Sequence, residues 1–372
     1  MMKNNNSRKL KILLVIYGDI HFGGVSVLLN NLLKNMDKER FDFTLYAFGN
    51  IVDEPVLKAY KDNGVDVIVG RKERYDKWLI ALDLLSIILR KRIDIVHCNT
   101  GGLQLTSTTV AVAKICGVKK IIAHSHAKKN TPTPYNDYEL RCRDRIKRLA
   151  NVKLTCSKEA AEHMFGNESA LLISNGIDIN KFSFNPAIRA KMRDELHLHN
   201  ELVIGTVGRL EVIKNQTFII DIAKQLNNKK DVFVLIVGSG SQKENLISYS
   251  KSVGLDAKVV LVEANSNVEC YLNAMDIFVM PSKAEGLGIA AIEAQAMDLP
   301  VWCSTSVPQQ ATVTDKIHFL SLDESAEVWA EDILQNISKS NLDDRMSRAL
   351  DVAEKGYDIV SSAKLLHDIY LE

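Results

Sequence analysis

Short runs of β-branched and other apolar residues alternate with segments of helical hydrophobic period almost from end to end of the chain, and no other feature constrains the fold as strongly. Strands that are apolar throughout, instead of at every second residue, are those covered on both faces, as in parallel sheets flanked by helices. The first half has such runs at 10–17 (LKILLVIY), 42–48, 65–69, 93–98 (IDIVHC), 119–124, 152–156 and 170–174. Between the first two, Val25, Leu28, Leu29, Leu32, Leu33 and Met36 recur at the spacing of an amphipathic helix. The second half has runs at 202–208 (LVIGTVG), 232–238 (VFVLIVG), 258–263, 277–280 (IFVM), 300–303 and 318–321, with helical segments at 215–227, 241–253, 285–297 and 325–338. Two successive sets of this kind predict an α/β protein of two doubly wound, Rossmann-like domains, and 372 residues suffice for two at roughly 100–200 each. Asn175-Gly176 and Pro186 bracket a polar, aperiodic stretch that places the join near 178–187.

The composition, 46% apolar and 25% charged, excludes disorder as the main state. A net charge of +1 disfavours a nucleic-acid binder running on bulk positive charge. The total hides an asymmetry: residues 1–185 hold 29 Lys+Arg against 19 Asp+Glu, and the remainder 18 against 27. Cys98, Cys116, Cys142, Cys156, Cys270 and Cys303 show neither CxxC nor zinc-ligand spacing and read as reduced thiols of a cytoplasmic protein. The apolar run near the N-terminus is short for a signal peptide, and the longest apolar candidate for a membrane span, 79–89, contains Asp83.

In open parallel sheets ligands bind beyond the carboxyl ends of the strands, so the loops after strands are the place to look for chemistry. Residues 281–293 (PSKAEGLGIAAIE) hold Glu285 and Glu293 with seven residues between them, and Gly286 and Gly288. A helix start there offers unpaired amides to a phosphate, and an unbroken helix over 285–293 sets the carboxylates roughly 12 Å apart, able to flank a diphosphate. The alternative is a plain strand-to-helix turn with Glu in the first helical turn. After 202–208 comes GRLEVIKN, in which Arg209 and Lys214 are a basic pair suited to a diphosphate leaving group, or else ordinary surface charge. Gly23-Gly24 follows the first strand, and His124 and His126 follow the fifth, where imidazole can donate to a hydroxyl or shuttle a proton near neutral pH. The pattern GSGSQK at 238–243 fails GxGxxG at its third glycine, and no P-loop, GxSxG, HExxH or DxD motif occurs. Group transfer from an activated diphosphate, with protein cations and helix amides in place of a metal, fits these loops.

At this point the sequence resembles the retaining glycosyltransferases of family 4, which have the two-lobed GT-B fold and a Glu-x7-Glu signature, especially those building bacterial exopolysaccharide and capsule. The likeness rests on GGV at 23–25, HSHA at 124–127, ISNGID at 173–178, GRL-x3-KN at 208–215, PS-x2-EGLGIAAIEAQA at 281–296 and YDI…AKLLHDIYL at 357–371. It implies two Rossmann-like domains facing a cleft: an acceptor domain over 1–182, a nucleotide-sugar domain over 183–357, and a last helix, 358–372, returning to the first. It implies a donor, usually a UDP-sugar, with Arg209 and Lys214 on the diphosphate and Glu285 on the transferred sugar beside Gly286, Leu287, Gly288 and Ile289. Glu293 would take the ribose hydroxyls, Gly24 a phosphate through its amide, and His126 a place near the reacting carbon. Metal ions and cofactors are not expected. The segment 261–266 (LVEANS) lacks a Gly common in relatives, and Pro308-Gln309-Gln310 has no evident role.

Between 119 and 153 stand ten Lys/Arg and three Asp/Glu. With a lipid-linked saccharide as the implied acceptor, this basic face predicts peripheral docking on an anionic inner membrane surface, a solvated basic helix being the alternative. A non-transferring nucleotide-sugar enzyme such as a UDP-N-acetylglucosamine 2-epimerase is the alternative enzyme. A two-lobed solute-binding protein, which would be exported, is the alternative from another class.

Overall fold

The computed structural model describes residues 8–17, 20, 24–48, 52–70, 77–127, 133–263, 265, 267–337 and 344–372. The chain forms two compact units, Met1–Gly176 with Ile359–Glu372, and Ile177–Asp358. The first contains β1 (Leu10–Tyr17), α1 (Gly24–Lys34), β2 (Phe41–Phe48), α2 (Glu54–Asp62), β3 (Asp66–Val69), α3 (Lys77–Lys91), β4 (Ile95–Thr100), α4 (Leu103–Ile115), β5 (Lys120–Ser125), α5 (Asp137–Leu149), β6 (Val152–Thr155), α6 (Lys158–Phe165) and β7 (Leu171–Leu172). The second contains α7 (Pro186–Glu195), β8 (Leu202–Val207), α8 (Thr217–Leu226), β9 (Val232–Val237), α9 (Lys243–Ser252), β10 (Val259–Val262), α10 (Val268–Ala274), β11 (Ile277–Met280), α11 (Ile289–Ala296), β12 (Val301–Ser304), β13 (Ile317–Leu320), α12 (Ala326–Ile337) and α13 (Ala349–Glu354). The last helix, α14 (Ile359–Leu371), returns to the first unit.

Both sheets are parallel throughout, in the orders β3-β2-β1-β4-β5-β6-β7 and β10-β9-β8-β11-β12-β13. The alternation in the sequence has its cause here. Ile12 to Val15 of β1 and Val234 to Ile236 of β9 are wholly buried, because helices cover both faces of each sheet. Helix α1 turns Leu28, Leu29, Leu32 and Leu33 to the core, while Met36 packs there from beyond the helix end. A capping box on Asn136 and Glu139 starts α5, and Asn185 caps α7 ahead of Pro186. Buried Asp276 accepts Arg189, Arg193 and the Val203 amide, clamping α7 to the N-terminal ends of the central strands β8 and β11 of its own unit. In the first unit α14 lays Ile359, Leu366 and Tyr370 into the core, and Tyr370 meets Phe41 edge-on at 5.6 Å.

One helix begins later than the sequence predicts. The helical segment placed at 285–297 starts at Ile289, with Gly288 as its N-cap at φ +86°, a left-handed conformation that suits glycine. Glu285 therefore stands on a loop, and the roughly 12 Å helical separation inferred for the two carboxylates does not apply. For the same reason no acidic residue occupies the first turn of α11.

Candidate active site

Strand order reverses between β1 and β4 in the first unit and between β8 and β11 in the second, which puts the loops after these strands at topological switch points. In the second unit these are the loops of Arg209 and Lys214 and of Glu285. The Lys283 amide donates to the Ile213 carbonyl at 2.8 Å, fixing one loop against the other. Lys214, at the end of a 3-10 turn (Val212–Lys214), then reaches Glu285 Oε1 with its Nζ at 2.5 Å. Ser282 Oγ donates to the same oxygen at 2.8 Å, and the Ser282 carbonyl is in turn held by Ser304 Oγ at 2.5 Å. The Glu285 side chain is 10% exposed and Lys214 22%, so the ion pair is sheltered. Arg209 is exposed, and its guanidinium has no ion pair among the described residues. The sequence presents Arg209 and Lys214 as a pair of cations; the structure makes one an exposed cation near Glu211 and the other the partner of a sheltered carboxylate.

The glycines of GSGSQK have a packing role. A Cβ at Gly238 would lie 1.9 Å from the Gly208 carbonyl oxygen, and one at Gly240 2.4 Å from that of Leu210. The β9 loop thus lies backbone to backbone on the loop that carries Arg209, joined by Leu210 N to Ser239 O and Gln242 N to Leu210 O, each 2.9 Å. Gln216 Nε2 holds the Arg209 carbonyl at 2.7 Å. Beyond Glu285, the first helical amide bonds of α11 come from Ala291 and Ile292, both to Gly288 O, which sets Gly286, Leu287, Gly288 and Ile289 ahead of the hydrogen-bonded turns.

Glu293 lies one turn into α11. Burial pushes its carboxyl up to about 8; nearby Glu269 adds to the rise and Lys181, ion-paired with Glu269 at 3.1 Å, opposes it. A carboxyl in this state is largely protonated at neutral pH.

In the first unit Gly24 opens α1, whereas Gly23 lies outside the described residues. His126 follows β5, its Nε2 3.3 Å from Asn99 Oδ1. Burial lowers His126 to about 4 and His124 well below the usual histidine range. Desolvation keeps both imidazoles uncharged near neutral pH, each with one N–H donor and one lone pair. Sequence reasoning missed Ser282, Lys181 and Glu269 around the glutamates, and His97, Asn99 and Tyr370 around the histidines. Ser282 is a local neighbour of Glu285 in the same loop, whereas the others meet their partners only through the tertiary fold. Among the described residues no group of His, Cys, Asp and Glu is placed to hold a metal ion, and no helix is long and apolar enough to cross a membrane.

Comparison with known proteins bears on this geometry directly. Residues 188–350 match the family model for glycosyl transferases group 1, and residues 22–181 that for glycosyltransferase family 4. The chain is 25% identical to the putative glycosyltransferase EpsF of Bacillus subtilis, over 98% of this chain and 97% of EpsF. It is 28% identical to an Escherichia coli UDP-Gal:α-D-GlcNAc-diphosphoundecaprenol α-1,3-galactosyltransferase, over 59% of each chain. Crystal structures of Anabaena HepE superpose on it, the complex with UDP-glucose at a TM-score of 0.77 with 18% identity, covering 97% of this chain and 99% of HepE. WaaG, a glycosyltransferase of lipopolysaccharide biosynthesis, superposes at 0.71 with 12% identity, covering 96% and 99%. Two parallel-sheet units and two contiguous domain matches define the class. The chain is a glycosyltransferase of the GT-B fold.

Proposed function

We propose that this glycosyltransferase moves a hexose from a UDP-sugar to a lipid-linked saccharide during polysaccharide assembly, with retention of anomeric configuration and without a metal ion. The observation that carries the donor assignment is the closed pair Lys214–Glu285 at a switch point, with an exposed Arg209 on the β8 loop and the amides of 286–289 following Glu285. In this reading Arg209 and Lys214 bind the diphosphate, Glu285 the transferred sugar with Gly286, Leu287, Gly288 and Ile289, and Glu293 the ribose hydroxyls. Gly24 gives its amide to a phosphate and His126 lies beside the reacting carbon. The bond from the sugar carbon to the diphosphate breaks as the acceptor oxygen bonds to the same face, and the acceptor proton passes to the departing phosphate. Charge on that phosphate is what Arg209, Lys214 and the helix amides stabilise. UDP and UDP-glucose in HepE support the donor class, and the galactosyltransferase named for α-D-GlcNAc-diphosphoundecaprenol supports the acceptor class.

Membrane docking through the first unit is part of the same proposal. Helix α3 bares Trp78, Leu82 and Leu89 on one face, 70%, 62% and 57% exposed, and α5 bears exposed Arg141, Arg145 and Arg148. The Lys77 ammonium lies 5.8 Å from the Tyr138 ring centroid, so the two helices start side by side. An apolar stripe beside cations suits an anionic lipid surface, at the inner face of the cell membrane.

The deciding experiment is calorimetry of nucleotide-sugars with the full chain, followed by transfer to a polyprenyl-diphosphate saccharide with NMR reading of the product anomer, with and without EDTA. Binding of a UDP-sugar, EDTA-resistant transfer and a retained anomer are expected. Absence of nucleotide binding sinks the transferase reading; inversion or strict metal dependence sinks the mechanism; conversion of the free nucleotide-sugar without an acceptor favours the epimerase class.

A further inference from the structure

Three histidines lie in a row inside the first unit. The rings of His97 on β4 and His124 on β5 stack with centroids 5.4 Å apart and planes 6° apart, and those of His124 and His126 follow at 4.0 Å and 38°. Tyr370 OH, brought by α14, is 2.7 Å from His97 Nδ1, and His97 Nε2 is 3.3 Å from His124 Nδ1. His97 and His124 are fully buried and Tyr370 is 2% exposed.

Elementary hydrogen-bond accounting gives the row one direction. Burial raises the Tyr370 hydroxyl far above its ordinary pKa, so it keeps its proton, and a buried O–H left without an acceptor is costly. Its acceptor among the described residues is His97 Nδ1. His97 then carries its proton on Nε2 and donates to His124 Nδ1, which leaves the proton of His124 on Nε2. At the other end, Asn99 Nδ2 donates to the His97 carbonyl at 3.2 Å, turning Oδ1 toward His126. A carboxamide oxygen only accepts, so His126 holds its proton on Nε2 and a lone pair on Nδ1. Burial pushes His97 down to about 3 and His126 to about 4, consistent with neutral rings throughout.

We propose that Tyr370 and His97 are positioning residues that impose a single hydrogen-bond polarity on this row and hold His124 as an Nε2–H donor on the ring adjacent to His126, reinforcing the Nε2–H tautomer that Asn99 gives His126 for the transfer reaction; the second half of this statement rests on the role proposed for His126. His124 Nε2 and His126 Nδ1 are the two buried ring atoms of the row without a partner among the described residues. With the assigned polarity they are a donor and an acceptor on adjacent rings. With the reverse polarity they are two lone pairs on adjacent rings, and the Tyr370 proton loses its acceptor.

Nitrogen NMR of the full-length protein labelled with 15N-histidine reads the tautomers, and Tyr370→Phe, which keeps the ring among Phe41 and Phe43, removes the donor. His97, His124 and His126 are expected as single Nε2–H tautomers between pH 5 and pH 8, and Tyr370→Phe to turn His97 and His124 into mixtures. In the transfer assay the variant is expected to lose about three- to tenfold in kcat with donor KM unchanged, the loss of one buried neutral hydrogen bond. His367→Ala, which alters the same helix at a ring packed on Phe41, is expected to keep the wild-type kcat and tautomers. Wild-type His97 protonated on Nδ1, or tautomers indifferent to Tyr370→Phe, overturns the polarity. Altered tautomers with unchanged kcat overturn the link to catalysis. Failure of the transferase reading shows separately, as a wild type that transfers no sugar while its tautomers stay as assigned.

Discussion

Replacement of Glu293 by Gln isolates a single electrostatic cost in the second unit. The folded protein holds this carboxyl at about 8 against an ordinary 4.5, chiefly by desolvation. Below about pH 4.5 both folded and unfolded chains are protonated and the site costs nothing. Between 4.5 and 8 the folded state binds the extra proton, so stability falls as pH rises; above 8 both states are ionised and the full penalty is present. At about 1.4 kcal/mol per pKa unit the penalty is about 1 kcal/mol at pH 5, about 3 at pH 7 and about 5 beyond pH 8. Gln keeps the shape of the neutral acid and removes the titration, so the variant gains stability over wild type by these amounts. Two of the three tryptophans, Trp302 and Trp329, are wholly buried in this unit, and Trp78 is exposed in the other, so urea unfolding followed by tryptophan fluorescence reports mainly residues 177–358. If Glu293 binds the ribose, calorimetry shows weaker nucleotide binding by the same, more stable variant. A gain in stability that does not grow from pH 5 to pH 8 would refute the buried-carboxyl reasoning.

Arg209→Ala and Lys214→Ala are each expected to lower kcat by about 10²–10³, by analogy with removing a preorganised charge stabiliser, and they should differ in stability. Lys214→Ala strands the sheltered Glu285 carboxylate and costs about 3 kcal/mol in urea unfolding, whereas exposed Arg209→Ala stays within about 0.5; wild-type activity in either would place the diphosphate elsewhere. Gly238→Ala forces a Cβ onto the Gly208 carbonyl and is expected to destabilise the second unit by about 1–3 kcal/mol and weaken nucleotide binding by displacing the Arg209 loop; a neutral effect would show the loops to be compliant. Trp78→Ala with Leu82→Ala should reduce sedimentation with anionic vesicles, and binding should fall with salt; binding equal on neutral vesicles and insensitive to salt would refute docking by this face.

The order and type of nearly every element were legible in the sequence because both sheets are parallel and doubly covered, a burial that writes itself locally as unbroken apolar runs such as Ile12–Val15 and Val232–Val237. The loops after strands were legible for the same reason, and with them Arg209, Lys214, Glu285 and the histidines as candidates. Local pattern does not encode distance between remote residues. Lys214 finds Glu285 because β8 and β11, far apart in sequence, are neighbours in the sheet. Glu285 is released from the helix because Gly288 takes a left-handed conformation that the helix-forming run after it concealed. The carboxyl of Glu293 is neutralised by surroundings drawn from other elements, and Tyr370 reaches His97 across 273 positions of sequence only because the last helix folds back on the first unit. Short-range periodicity determined what each segment is. The proton states and charge pairs of the candidate site were decided by tertiary packing, because desolvation and Coulomb energy depend on which surfaces meet.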